Sequence, residues 1–272
     1  MSMFSANLNN IEYSFKSWPI ATLPLDYNIT YNYIFLDSEE QFQQNCANLP
    51  ENWRFRELHY TYKFNNTGQR MEKKLDDVNY DYILFLGCSH TVGVGLPLHE
   101  TYPYLTATEL GLDYINGGAP GASVKFTFLN LFYALQYLPK PKYVVISWPS
   151  YGRYVLFRKK AEFILPNFEI KTKHTENLYN AMITEDFLTQ EASLFRTLSI
   201  DLCSKLKIPL IEFTFFNNDN YVRDNNIHIV DSEDTDLNTY YARDILKVNG
   251  SYISHPGSAL HRSATDYIKD SI

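Results

Sequence analysis

Leu84-Phe85-Leu86-Gly87-Cys88-Ser89-His90-Thr91-Val92-Gly93-Val94-Gly95 decides the fold: an apolar run stops at a glycine and a serine, and helical patterning follows. Tyr82 to Leu86 has the length and continuous apolarity of a strand buried on both faces, the kind that parallel sheets hold beneath helices. Ser89 then falls just past the strand's C-terminal end, where ligands and chemistry collect in open α/β sheets. Two roles are open to it there, nucleophile and helix N-cap, since its oxygen accepts from free helix amides whether or not it reacts.

Outward from this stretch, the pattern from Tyr80 onward alternates strands and helices, the signature of a mostly parallel sheet covered on its faces. A helix is predicted over His99 to Leu110 and ended by Gly111, then a short strand over Asp113 to Ile115 and the loop Asn116-Gly117-Gly118-Ala119-Pro120-Gly121. Ala122 to Leu138, apolar on all sides, reads as a buried helix ended by Pro139 and Pro141. Lys142 to Trp148 is the next strand, leading to Pro149-Ser150-Tyr151-Gly152-Arg153, with a hairpin expected at Tyr154 to Phe157 and Glu162 to Leu165. Glu185 to Leu206 is an amphipathic helix with Leu194, Leu198, Leu202 and Leu206 on one face. Pro209 to Phe215 and Ile227 to Val230 are further strands, and Asp231 to Ser254 is a polar loop with a short helix at Leu237 to Leu246. His255-Pro256-Gly257 opens the last helix, with proline near its first position.

Residues 1 to 79 are patterned differently and form a β-rich elaboration laid against the domain of residues 80 to 272. Tyr27 to Phe35 and Glu57 to Phe64 are rich in β formers, Asn65-Asn66-Thr67-Gly68 is a turn signal, and Ser38 to Leu49 is a short helix or loop. Seven of the chain's 22 tyrosines precede Tyr82, five of them in these two predicted strands. Such a layer either packs inward or offers an interface or sugar-contacting surface.

Composition narrows the function classes. With 272 residues, 45% of them hydrophobic, the chain can bury the core of one main domain. Against 31 Asp plus Glu it carries 24 Lys plus Arg with no long basic cluster, which disfavours nucleic acid as a partner. Its start lacks the charged and apolar regions of a signal peptide, and no stretch reaches the ~20 apolar residues that span a bilayer, so neither secretion nor a membrane is expected. Cys46, Cys88 and Cys203 are odd in number and widely spaced, which indicates a reducing, cytoplasmic compartment without disulfides or zinc.

Three separated segments, in order, resemble the SGNH or GDSL hydrolases, a flavodoxin-like three-layer α/β/α group of esterases, lipases and carbohydrate deacetylases. Gly87-Cys88-Ser89-His90-Thr91 is similar to the family's first block, with Cys88 where an aspartate is usual, and Gly93-Val94-Gly95 through Glu100-Thr101-Tyr102-Pro103 extends the likeness. By that resemblance Ser89 is the nucleophile. Asn116 to Gly121 matches the second block, which implies that the Gly121 backbone N–H, with that of Ser89, stabilises the oxyanion; glycine dihedrals in a tight turn are the other reading. His255-Pro256-Gly257 matches the last block and makes His255 the base that activates a serine hydroxyl.

Two departures accompany the match. The family's acid lies three residues before the histidine, where this chain has Tyr252; Asp244, in Ala242-Arg243-Asp244, looks like the same phrase displaced by an insertion of Ile245 to Ile253. If the insertion loops out, Asp244 orients His255; otherwise a Ser-His dyad remains. The family's asparagine donor is also missing, and Ser150 is the nearest residue by position. Arg153 either substitutes for that donor, binds an anionic substrate group or pairs with a carboxylate, and His90 and Tyr252 join it as candidates for contacting substrate.

The resemblance implies a serine esterase acting on a small acyl ester or acylated glycan, without metal or organic cofactor. The alternative is a partly degenerate, phage-encoded member that has become a structural or binding protein of a virion, its tyrosine-rich N-terminal region docking a protein partner. Asn65 to Arg70 is similar to a phrase in SGNH-like proteins of bacteria and their phages. A nucleotide-binding role for the Gly117 to Gly121 loop lacks both a lysine and GxGxxG spacing.

Overall fold

Strand β4 (Tyr82–Gly87) is an interior strand in the computed structural model of the chain, buried along its whole length between two layers of helix. Residues 5–7, 30–34, 36–157, 160–164, 184–217, 222, 225–248 and 251–272 are described. Five parallel strands form the sheet in the order β10-β9-β6-β4-β5, where β5 is Asp113–Gly118, β6 Tyr143–Ser147, β9 Leu210–Thr214 and β10 His228–Ile229. Counted within the sheet this is 2-1-3-4-5, the flavodoxin-like winding, with the reversal between β4 and β6.

Alternation along β4 divides the core. Tyr82, Leu84 and Leu86 face α4 (Val124–Tyr137) and α5 (Glu185–Lys205), where Leu131, Ala134, Ala192 and Cys203 fill the layer. Ile83 and Phe85 face α3 (Tyr102–Leu110) and α6 (Ser258–Asp270), meeting Tyr102, Ala264 and Ile268. Each side chain so enclosed contributes about 1.5–3 kcal/mol, so the doubly covered strand is the principal source of stability.

Several elements differ from the sequence reading. The predicted helix from His99 starts only at Tyr102, after a 3-10 turn at Leu98–Glu100, because Pro103 suits the first turn of a helix but not its interior. The leucine stripe of α5 mostly faces outward: Leu194 is 55% exposed, and the helix buries Leu188, Ala192 and Cys203 instead. No helix forms at Leu237 to Leu246; turns occupy its start, where the Asp234 and Asp236 side chains accept from the backbone N–H two residues on, and β11 (Leu246–Val248) begins at its end. The final helix starts at Ser258 with Gly257 as its cap, two residues after Pro256.

The N-terminal strands are shorter than expected. Thr30–Tyr31 (β2) pairs with Tyr62–Lys63 (β3), while Ser38 caps a ten-residue helix α1 (Glu39–Asn48) through the Gln41 N–H. Long β formers are present, but Tyr60 and Tyr62 turn inward to pack on Arg243 and Asp37 rather than extend a sheet. The expected hairpin is present as β7 (Tyr154–Phe157) and β8 (Lys160–Ile164), with β1 (Ser5–Asn7) antiparallel to β8. Of the expected strand Tyr27 to Phe35, Tyr27, Asn28, Ile29 and Phe35 lie outside the described residues.

Candidate active site

Ser89 is the first residue of α2 (Ser89–Val92), immediately beyond the carboxyl end of β4. The N-cap is Cys88, and the Ser89 hydroxyl makes no capping hydrogen bond, which removes the N-cap reading. The turn is held from below: Asn116 Nδ2 donates to the Thr91 carbonyl at 2.9 Å, and Ala119 N–H to the Gly87 carbonyl at 3.0 Å, so the loop after β5 lies against the Ser89 turn. That approach depends on Gly118, where a Cβ would stand 2.7 Å from Thr91 Cβ and 2.9 Å from Val92 N. Gly121 is buried with a φ of +77°, and among the described residues nothing accepts its N–H or that of Ser89. Buried backbone donors are nearly always paired, so this loop holds donors in reserve for an oxygen.

His255 and Asp244 meet although eleven positions separate them. The Asp244 carboxylate contacts His255 Nδ1 through one oxygen and accepts from the His255 backbone N–H at 3.3 Å through the other. Ile245 stays buried against Trp53 and Leu96, and the described residues after it form a hairpin, β11 against β12 (Ser251–Ile253), closed at its foot by the Tyr241 to Pro256 bridge and by Ala242 N–H to the His255 carbonyl at 3.2 Å. The looped-out insertion is thus observed, and Tyr252 lies on the hairpin, packed edge-on against Tyr241 at 5.7 Å, rather than beside the histidine as an acid. With Nδ1 engaged, His255 keeps Nε2 free of hydrogen bonds among the described residues. That is the nitrogen a general base presents.

The acid is held by the N-terminal segment. Arg243, next to Asp244, pairs in forked fashion with Asp37 at 2.8 and 2.6 Å, while Asn45 and Gln41 of α1 donate to the Arg243 and Ile245 carbonyls at 3.1 and 2.9 Å. On the other flank Arg70, fully buried, donates to the carbonyls of Val92, Gly93 and Leu96, closing the C-terminal end of the Ser89 turn. Gly95 sits between the two, its N–H donated to Tyr62 at 2.8 Å; a Cβ there would stand 2.9 Å from Asp244 Oδ1, at a φ of +83°.

His90 and His255 stand edge-on, ring centroids 5.5 Å apart, on the wall of a cleft of about 380 Å³ that Phe215, Phe216, Tyr240, Tyr241 and Tyr252 also line. Burial, first, and then the neighbouring His255 and Arg153 hold the His90 imidazole well below its usual pKa, so this ring is neutral at pH 7. It stacks on Phe216 at 4.8 Å. His261, by contrast, is structural: its Nδ1 accepts the Tyr102 N–H at 2.9 Å, and burial pushes its pKa down to about 3.

Among the described residues no hydrogen bond joins Ser89 Oγ to His255, and Ser89, Gly121, Ser150 and Arg153 lie outside the residues that line the cleft; the Ser150 carbonyl accepts Arg153 N–H at 3.2 Å in a turn after β6. Serine–histidine contacts are commonly loose without substrate and tighten on binding. Two parts of the site escaped the sequence reading. Phe215-Phe216 was legible only from its place at the carboxyl end of β9, and the Asp37–Arg243 pair joins residues 206 positions apart with no local signal.

No protein-family model and no curated protein matches the chain. Solved structures are similar to it: a G-D-S-L family protein from Desulfitobacterium hafniense at 11% identity and a TM-score of 0.42, covering 70% of this chain and 99% of that one, and a member of the lipolytic protein G-D-S-L family from Veillonella parvula at 14% and 0.39, covering 70% and 96%. AlinE4, an SGNH-hydrolase family esterase, is similar at 16% and 0.33 over 55% of this chain and 75% of its own. The segment that is similar in sequence, residues 80 to 272, contains the whole parallel sheet.

Proposed function

We propose that the chain is a serine hydrolase of the SGNH type that cleaves small O-acyl esters, with residues 80 to 272 as the catalytic unit and the N-terminal segment as its brace. The observation that carries this reading is the Asp244 carboxylate on His255 Nδ1, at the carboxyl edge of a parallel sheet in which the fully buried strand β4 delivers Ser89. A carboxylate there fixes the imidazole tautomer and stabilises the imidazolium formed when Nε2 takes a proton.

Ser89 Oγ attacks the ester carbonyl carbon as its proton passes to His255 Nε2. Negative charge on the former carbonyl oxygen is met by the Ser89 and Gly121 N–H groups, donors already fixed in place. The imidazolium returns its proton to the leaving alkoxide, and an acyl-serine remains. Water, deprotonated by His255, attacks that ester, and collapse releases the acid and restores Ser89. The tyrosines of the cleft suit an acylated sugar as the alcohol portion.

A fluorophosphonate probe and 4-nitrophenyl acetate test the proposal. Wild type labels and turns over; Ser89→Ala loses labelling and falls by about 10⁴-fold or to background. Turnover that survives Ser89→Ala excludes the serine as nucleophile. A second reading rests on the missing Ser89–His255 bond and the absence of Ser150 from the cleft: a scaffold that keeps the fold as a binding or virion component. Wild type that neither labels nor turns over decides for it.

A further inference from the structure

Six of the seven described arginines are occupied. Arg54 grips both oxygens of Glu100 at 2.5 Å, Arg196 pairs with Glu212, Arg243 with Asp37 and Arg262 with Glu109, while Arg56 and Arg70 donate to backbone carbonyls. Arg153 differs. Its guanidinium makes no hydrogen bond or ion pair with any described residue, and its Nη1 is buried without a partner. The residue is only partly exposed, so this is not a surface side chain trailing in water.

Its position is specific. The guanidinium carbon lies 5.1 Å from the centroid of Phe216, whose other neighbour is His90, itself edge-on to the candidate base. Arg153 stands on the turn that follows β6, at the same carboxyl rim as Ser89. Asp231, the carboxylate on the cleft wall, is engaged by the Tyr240 hydroxyl at 3.2 Å and the Ser232 N–H at 2.8 Å, and forms no ion pair with Arg153. Of the three readings the sequence left open, pairing with a carboxylate of the protein is therefore absent among the described residues.

A partly desolvated cation without counter-charge is unfavourable unless something supplies one. The planar fork of arginine fits carboxylate and phosphoryl oxygens, and the aromatic face of Phe216 keeps it oriented while leaving its N–H edge available. The chain as a whole carries a net charge of -7, which repels anions at long range, so a ligand anion would need a dedicated local cation.

We propose that Arg153 is an anion-recognition residue of the candidate site, and that the ester taken there carries a carboxylate or phosphoryl group. Two rings, Phe216 and His90, separate the guanidinium from the base, so the anion and the reacting carbonyl belong to one small molecule. The specificity half of this inference rests on the hydrolase reading; the binding half does not.

Two measurements test it. In the first, kcat/KM is compared for 4-nitrophenyl acetate and the 4-nitrophenyl half-ester of succinate, in wild type, Arg153→Met and Arg153→Lys. Wild type is expected to prefer the anionic ester by about 10-fold or more, Arg153→Met to lose that preference and Arg153→Lys to recover part of it. A ratio unchanged by Arg153→Met overturns the proposal and returns Arg153 to the oxyanion role, which would alter both esters alike. In the second, monomethyl succinate and methyl phosphate are titrated into Ser89→Ala by calorimetry. Saturable binding of either that is lost in Ser89→Ala/Arg153→Met supports the proposal and tells carboxylate from phosphoryl; binding of neither overturns it. Binding without hydrolysis of either ester by wild type leaves the anion site standing and sinks the hydrolase reading alone.

Discussion

Arg243 and Arg153 mark two regions that treat the same side chain in opposite ways. Around Arg243 the guanidinium is held from several sides: Asp37 accepts from Nε and Nη2, the Asn32 carbonyl accepts a further N–H at 2.7 Å, and Tyr60 lies under the guanidinium at 4.1 Å. The Arg153 guanidinium has no hydrogen-bond or ion-pair partner among the described residues, and His90 likewise has its Nδ1 buried without one. Saturation makes the first region rigid, and it is the region that carries Asp244. The open valences of the second lie beside Phe216 of the cleft wall, where unsatisfied polar groups cost stability unless a ligand meets them.

The comparison can be broken at its catalytic end first. Asp244→Asn keeps the shape of the acid but loses its charge, and the expected outcome is a fall in kcat/KM of about 10⁴-fold, read with 4-nitrophenyl acetate, with far less change in urea midpoint. A loss below 10-fold would mean that His255 works without its partner.

Asp37→Ala strikes the saturated region. It strands a buried guanidinium, so stability measured by urea unfolding should fall by about 3–5 kcal/mol, and the double variant Asp37→Leu/Arg243→Met should recover most of it. Failure of the double variant to recover would mean that the ion pair contributes more than fit.

Acid pH separates the regions by another route. His90 and His261 have pKa values lowered by burial, so in the unfolded chain they bind protons below about pH 6.5 that the folded chain refuses. Stability is then fully present above that pH and falls as pH drops, by about 1.4 kcal/mol per unit for each histidine. Urea titrations between pH 7 and 5 should show this slope, and His261→Gln should lessen it. At the bottom of the scale, Lys205 and Asp201 form an exposed pair, 72% and 53% open to solvent, and Lys205→Ala should shift stability by no more than about 0.5 kcal/mol.

What the sequence disclosed follows the range of the forces involved. Local patterns sufficed for the sheet, because strands buried on both faces must be apolar throughout, as Tyr82 to Leu86 and Tyr143 to Ile146 are. Ser89, the glycine loop and His255 were legible from short motifs. Asp244 was legible only conditionally, since the contact required the chain between it and His255 to double back, which it does as a hairpin after the buried Ile245. The short helix at Leu237 to Leu246 failed because side chains of Asp234, Asp236 and Asn238 compete for backbone groups. The outward leucines of α5 show that fourfold spacing marks a stripe without saying which side of the helix the sheet lies on. Asp37 and Arg243 were silent altogether, being joined by tertiary structure alone.

The Leu246 to Ile253 excursion has one more consequence. Its foot is fastened by backbone bonds at Ala242 and Gly257, inside the positions that bear the acid and the base, so the spacing of the two is set by the fastening and not by how much chain lies beyond it. Evolution or an engineer can therefore lengthen, shorten or exchange the outer segment as a cassette, altering what enters from that side while the proton-handling pair stays in gauge.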